Sequence, residues 1–169
     1  NLEHVGNHCA TRPALAITVS MFVVAGVIGA PPARADFAGS LQEAVMQVRG
    51  GQSCGQLRAD PLVTQTAEFV ARTTSKYLNH DTRVAPGRVN ANGQLIVDPL
   101  AILKDLGSTA GRATSVEGAG KTQIDAIKSL LITGFKDIPD CAYTEFGVSV
   151  MPNDNPDGYF LTALVLAGV

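Results

Sequence analysis

Apolar positions recur at two different spacings along this chain, and the change from one to the other divides it. Leu41, Val45 and Val48 lie on one helical face, and Ser40 followed by Glu43 forms a capping box. A short first helix is therefore expected from Ser40 to a stop at Gly50-Gly51. Asp60-Pro61 starts a second, since Asp accepts from orphan amides and Pro loses no hydrogen bond at the first helical position. Leu62, Val63, Thr66, Ala67, Val70, Thr74, Tyr77 and Leu78 then recur at helical spacing and mark the main core helix. Asp98-Pro99 repeats the start signal for a brief helix through Leu106, stopped by Gly107. Thr122 with Asp125 opens a last one to about Ile132, with Ile124, Ile127, Leu130 and Leu131 as its expected buried stripe.

The period then becomes two. Phe146, Val148 and Val150 alternate with Glu145, Gly147 and Ser149, which predicts a half-buried strand. After a turn at 152–158, the run Tyr159 to Leu166 is almost continuously apolar and predicts a strand covered on both faces. Leu95 to Val97 and Thr114 to Val116 are weaker strand candidates. Helices on both sides of a hairpin make an α/β chain of the α+β kind, a three-layer α-β-α sandwich.

The first 35 residues stand apart. Ala14 to Ala30 is an uncharged, mostly apolar run with Arg12 ahead and Ala33-Arg34-Ala35 behind, the pattern of a secretory signal peptide cleaved near Ala35. The run is broken by Ser20, Gly26 and Gly29 and falls short of a membrane span. The expected mature protein is one domain, 36–169, without a transmembrane segment, secreted to the exterior or cell envelope. No lipobox cysteine follows the signal, so a lipid anchor is not expected. The 169 residues are 46% hydrophobic and 17% charged with a net charge of -2, and no basic run offers a footprint for nucleic acid. Cys9 leaves with the signal, and export favours a Cys54–Cys141 disulfide over a metal pair or a reactive thiol.

Candidate chemistry is sparse. Gly118-Ala119-Gly120-Lys121-Thr122 looks like the end of a phosphate-binding loop, but Ser115 stands where the first Gly belongs, and a glycine-rich lead-in to the Thr122-capped helix is the better reading. Residues 153–158 look like the front of a calcium loop, yet its twelfth position is Leu164 and Pro156 lies inside, so a hairpin connection is expected. No Ser has a nucleophile-elbow setting. The mature domain has a single histidine, His80, which cannot by itself make a two-histidine metal site. A lone imidazole of this kind is more often structural than catalytic. No metal site and no cofactor are expected.

Four segments resemble the CAP superfamily, the SCP-like domains of cysteine-rich secretory proteins, antigen 5 and pathogenesis-related 1. Leu57-Arg58-Ala59-Asp60-Pro61-Leu62 is similar to the opening of the family's first long helix, and Tyr77-Leu78-Asn79-His80 to the helix end that delivers its first cavity histidine. Ile138 to Val150 resembles the approach to a central strand, and Tyr159 to Gly168 the closing strand. The resemblance implies a CAP-like fold whose cavity holds two His and two acidic residues. His80 carries over, and Glu117 stands for one acid. Residues 133–137 contain no second His, and no Glu follows His80 closely. A degenerate cavity is implied.

Two functional classes follow, with a third beside them. A non-enzymatic secreted protein would hold a lipid or sterol-like ligand in an apolar groove, as the resemblance implies, although core filling accounts for most apolar residues one by one. A protease-like hydrolase would use His80 and Glu117 as acid and base. A surface module would present the loop 81–94 to a host or surface protein.

Overall fold

The computed structural model describes residues 32–79, 88–89, 95–152 and 158–169, with backbone alone at 32–35, 88–89 and 95–96. Its centre is the apolar run near the chain's end. Strand β6 (Phe160–Gly168) lies between β4 (Arg112–Gly120) and β5 (Glu145–Pro152), antiparallel to both, and the two-residue β1 (Arg58–Ala59) adds to β5 in parallel. Register pairs Val116 and Val148 with Leu164, and Glu117 with Ala163. A separate antiparallel pair joins β2 (Arg88–Val89) to β3 (Leu95–Ile96), so the expected Leu95–Val97 strand exists outside the central sheet.

Helices cover both faces of this sheet, which explains why β6 is apolar throughout. Leu164 and Leu166 pack with Phe37, Leu41 and Val45 of α1 (Pro32–Gly50) and Ala126 and Leu130 of α4 (Gln123–Thr133). Ala163, Val165 and Ala167 face the other way, onto Val63, Ala67 and Val70 of α2 (Pro61–Leu78) and Leu103 of α3 (Pro99–Asp105). The architecture is the expected three-layer α-β-α sandwich. Alternate side chains of one strand thus enter two separate cores, and neither face is left for water.

The Asp-Pro starts are as read. Asp60 Oδ1 accepts from the amides of Leu62 and Val63 at 2.8 and 3.1 Å, and Asp98 Oδ1 from Leu100 and Ala101 at 3.0 and 3.2 Å. Gly107 follows α3 at φ +86°, the left-handed position that a glycine allows at a helix end. The Thr122 hydroxyl caps α4 by accepting from the Asp125 amide at 3.1 Å.

Four expectations are corrected. The Ser40–Glu43 capping box is not a cap: α1 starts earlier, at Pro32, and the Ser40 hydroxyl donates back to the Asp36 carbonyl at 2.9 Å. Phe37 extends the Leu41–Val45 stripe by one turn, and its burial favours the longer helix. The glycines of 118–122 belong to a strand rather than to a helix lead-in. A Cβ on Gly118 would lie 2.5 Å from the Ala126 carbonyl oxygen, and one on Gly120 2.4 Å from the Ala126 amide, so these glycines let α4 lie directly on β4. The α4 stripe is also shifted, since Ala126 is buried where Ile124 was expected and Ile124 is 64% exposed. At the end of α2, Tyr77 and Leu78 are likewise over a third exposed. The anticipated hairpin connection lies largely at 153–157, outside the described residues.

One joint has two fastenings. Cys54 and Cys141 form a disulfide across 87 residues of sequence. Beside it Arg49, only 2% exposed, donates to the carbonyls of Gly55, Ile138, Asp140 and Tyr143 at 2.7–3.1 Å. Among the described residues the guanidinium bonds to backbone oxygens and pairs with no carboxylate. Its planar fork suits four acceptors that lie in different directions, which a lysine ammonium would not reach together.

Candidate functional site

Among the described residues, the carboxyl with a perturbed proton affinity is that of Glu117, on β4. Burial pushes its carboxyl above the ordinary carboxylate range, and the Thr74 hydroxyl, donating to Oε1 at 2.5 Å, pulls the other way without cancelling it. The two residues are delivered by neighbouring layers. Thr74 stands on the α2 turn after Val70, and Glu117 is partly buried where α2 crosses β4.

Around this pair lies a cleft of about 140 Å³. Ala71 and Leu78 of α2, Leu161 of β6 and Ala119 of β4 supply apolar wall, while Ser129 of α4 adds a second hydroxyl. Thr162 also borders it, but its hydroxyl is engaged with the Gly118 and Ala126 carbonyls at 3.1 and 3.2 Å. The cleft is therefore an apolar hollow with one carboxyl, smaller than the roughly 300–1,000 Å³ that encloses a drug-sized molecule. A larger hollow of about 380 Å³, bordered by Asp60 and Glu68, opens at the start of α2. Its Asp60 carboxylate is already occupied by two helix amides.

His80, the other candidate, lies outside the described residues, as does most of the loop 81–94. The structure thus brings Glu117 to a cleft that Leu78, at the end of α2, also lines. Among the described residues no three His, Cys, Asp or Glu side chains are grouped as metal ligands. In the sequence Thr74 has only the spacing of a core position in α2. A threonine at helical spacing gives no sign of the strand carboxylate it will meet 43 residues on.

No family model matches this chain, and no curated protein matches it. Solved structures do. An outer surface protein from Borrelia burgdorferi superposes with a TM-score of 0.57 at 10% identity, over 79% of this chain and 92% of that one. A cysteine-rich secretory protein from Staphylococcus aureus superposes with a TM-score of 0.53 at 14% identity, over 82% of this chain and 40% of the other. The fold is that of a CAP domain. This CAP-like chain spans less than half the length of the staphylococcal protein. Within the CAP fold the sequence matches now have places: Leu57 to Leu62 forms β1 and the start of α2, Ile138 to Val150 leads through the Arg49 joint into β5, and Tyr159 to Gly168 contains the central β6. Among the described residues no helix is long and apolar enough to cross a membrane.

Proposed function

We propose that this CAP-like chain is an exported, non-enzymatic binding protein, freed of residues 1–35, that takes one end of a lipid or sterol-type ligand into the Glu117 cleft. The observation that carries the reading is the placement of a single desolvated carboxyl in a mostly apolar wall that also carries the Thr74 and Ser129 hydroxyls. Burial raises the proton affinity of this carboxyl, and in its protonated form it donates a hydrogen bond to a hydroxyl or carbonyl oxygen without bringing an ionic charge. The cleft volume accommodates the polar end of such a ligand, with the remainder lying along the exposed apolar residues Tyr77 and Leu78.

Native mass spectrometry of the protein exported with its own leader tests this directly. The expected result is a chain beginning at Asp36 that carries a releasable lipid mass. Leu78→Asp, which sets a charge in the cleft wall at an exposed position, should weaken that binding by about tenfold or more. Glu117→Gln keeps a donor in place and should retain it. A chain free of lipid overturns the reading. So does a peptide or ester hydrolysis that Glu117→Gln and His80→Gln both abolish, which would establish the acid-base pair instead.

A further inference from the structure

The two halves of the Cys54–Cys141 bridge do not stand alike. Cys141 is exposed, in the turn that precedes β5, while Cys54 is half-buried just after the end of α1. Cys54 Sγ also lies 3.3 Å from the Pro139 carbonyl oxygen. A bridged sulfur carries no proton, so this contact is not a hydrogen bond in the oxidised chain. It becomes one when Cys54 is a thiol, because S–H is a donor. One cysteine is thus open to attack from outside, and the other has an acceptor in place for the thiol it would become.

The packing around the bridge does not run through it, since neither cysteine belongs to either core. Arg49 donates to the carbonyl of Gly55, next to Cys54, at 3.1 Å and to that of Asp140, next to Cys141, at 2.7 Å. With the S–S bond cut, the same guanidinium still spans from one cysteine's neighbour to the other's. Its bonds to the Ile138 and Tyr143 carbonyls hold the chain on both sides of Cys141. The released thiols therefore stay close together, and this selects the reagent that can part them. A monothiol that opened the bridge would leave a mixed disulfide on Cys141, and Cys54 beside it would attack that bond and expel the newcomer. A dithiol avoids recapture, because its own second sulfur attacks the mixed disulfide first.

We propose that Cys54–Cys141 is a reversible thiol-exchange site, opened at Cys141 by a dithiol reductant while the fold stays closed, and closed again by a disulfide oxidant. The reductant's thiolate attacks Cys141 Sγ, the S–S bond breaks, and its electron pair goes to Cys54 Sγ, which takes a proton from water and donates to the Pro139 carbonyl. The reductant's second sulfur, also as thiolate, then displaces Cys141 Sγ, which is protonated in turn. Two electrons and two protons have passed to the protein, and the dithiol has become a disulfide. Exposed bridges are the ones open to such exchange. The site is separate from the Glu117 cleft, none of whose lining residues belongs to this joint.

Reduction without denaturant tests the site, using the protein exported with its own leader. Dithiothreitol should open the bridge fully while circular dichroism stays that of the oxidised protein. Brief alkylation followed by peptide mapping should then find Cys141 labelled about tenfold faster than Cys54. Glutathione at equal thiol concentration should leave the bridge intact and no lasting adduct, whereas Cys54→Ser treated with glutathione disulfide should keep an adduct on Cys141. Once dithiothreitol is removed, glutathione disulfide should restore the bridge in a monomer free of adduct. Reduction that requires denaturant, loss of the folded spectrum on reduction, labelling of Cys54 as fast as Cys141, or a glutathione adduct that persists on the unsubstituted chain overturns the proposal.

Discussion

Glu117 shows how much one side chain depends on its setting. Its folded carboxyl holds a proton more tightly than the unfolded one, so folding takes up protons and stability from this group falls as pH rises. The contribution is fully present below the ordinary carboxylate range and is lost as pH rises through the elevated folded value. Glu117→Gln is uncharged at every pH. Thermal melts of the two proteins should therefore nearly coincide in acid, and the variant should become the more stable as pH rises toward neutrality. A gap of the opposite slope would mean that Glu117 is ionised in place and stabilised there. Tyr143, whose pKa is also raised, ionises above this window and does not disturb the comparison. Arg49 is the residue that sequence reading passed over. A basic residue in the last turn of a helix looks like a companion to the helix dipole, and nothing in its neighbours reveals three carbonyl partners 89 to 94 residues away.

At the scale of elements, the sandwich depends on close approach between helix and strand. A Cβ on Gly147 would lie 2.2 Å from the Thr64 amide and 2.4 Å from its Cα, backbone atoms of α2 that cannot swing aside. Gly147→Ala should destabilise the fold by about 1–3 kcal/mol in urea unfolding, as overpacking does. Gly39→Ala, within α1 and with nothing within 4 Å of the added carbon, should leave stability unchanged or raise it by up to about 1 kcal/mol. Equal effects of the two would remove the contact argument. Elements with chemical punctuation were legible: α2 and α3 from Asp-Pro, α4 from Thr122, β5 from alternation and β6 from its unbroken apolar run. Elements whose pattern belongs to their neighbours were not. β1 is two exposed residues without a period, and β4 carries glycines where α4 needs space, so its alternation is erased at Gly118 and Gly120. Ile124 misled for a related reason: an apolar residue at helical spacing does not say which side of the helix the sheet will take.

For the molecule as a whole, the disulfide and Arg49 tie the end of α1 to the segment that enters β5. Closing an 87-residue separation restricts the unfolded chain, and the chain-entropy model puts this at about 4–5 kcal/mol. Cys54→Ser should accordingly lower the melting temperature under oxidising conditions while the fold persists, because the guanidinium contacts remain. An unchanged transition would show that the bridge adds nothing to stability. The position of β6 has a different consequence, one of timing. β6 is the last described strand in sequence, yet it is the neighbour of both β4 and β5 and contributes to both cores. Until it emerges, β4 and β5 have no strand between them and neither helical layer has its sheet. Among the described residues, then, the sheet and both helical layers can close only after residues 160–168 are free to pair, however early the other elements form.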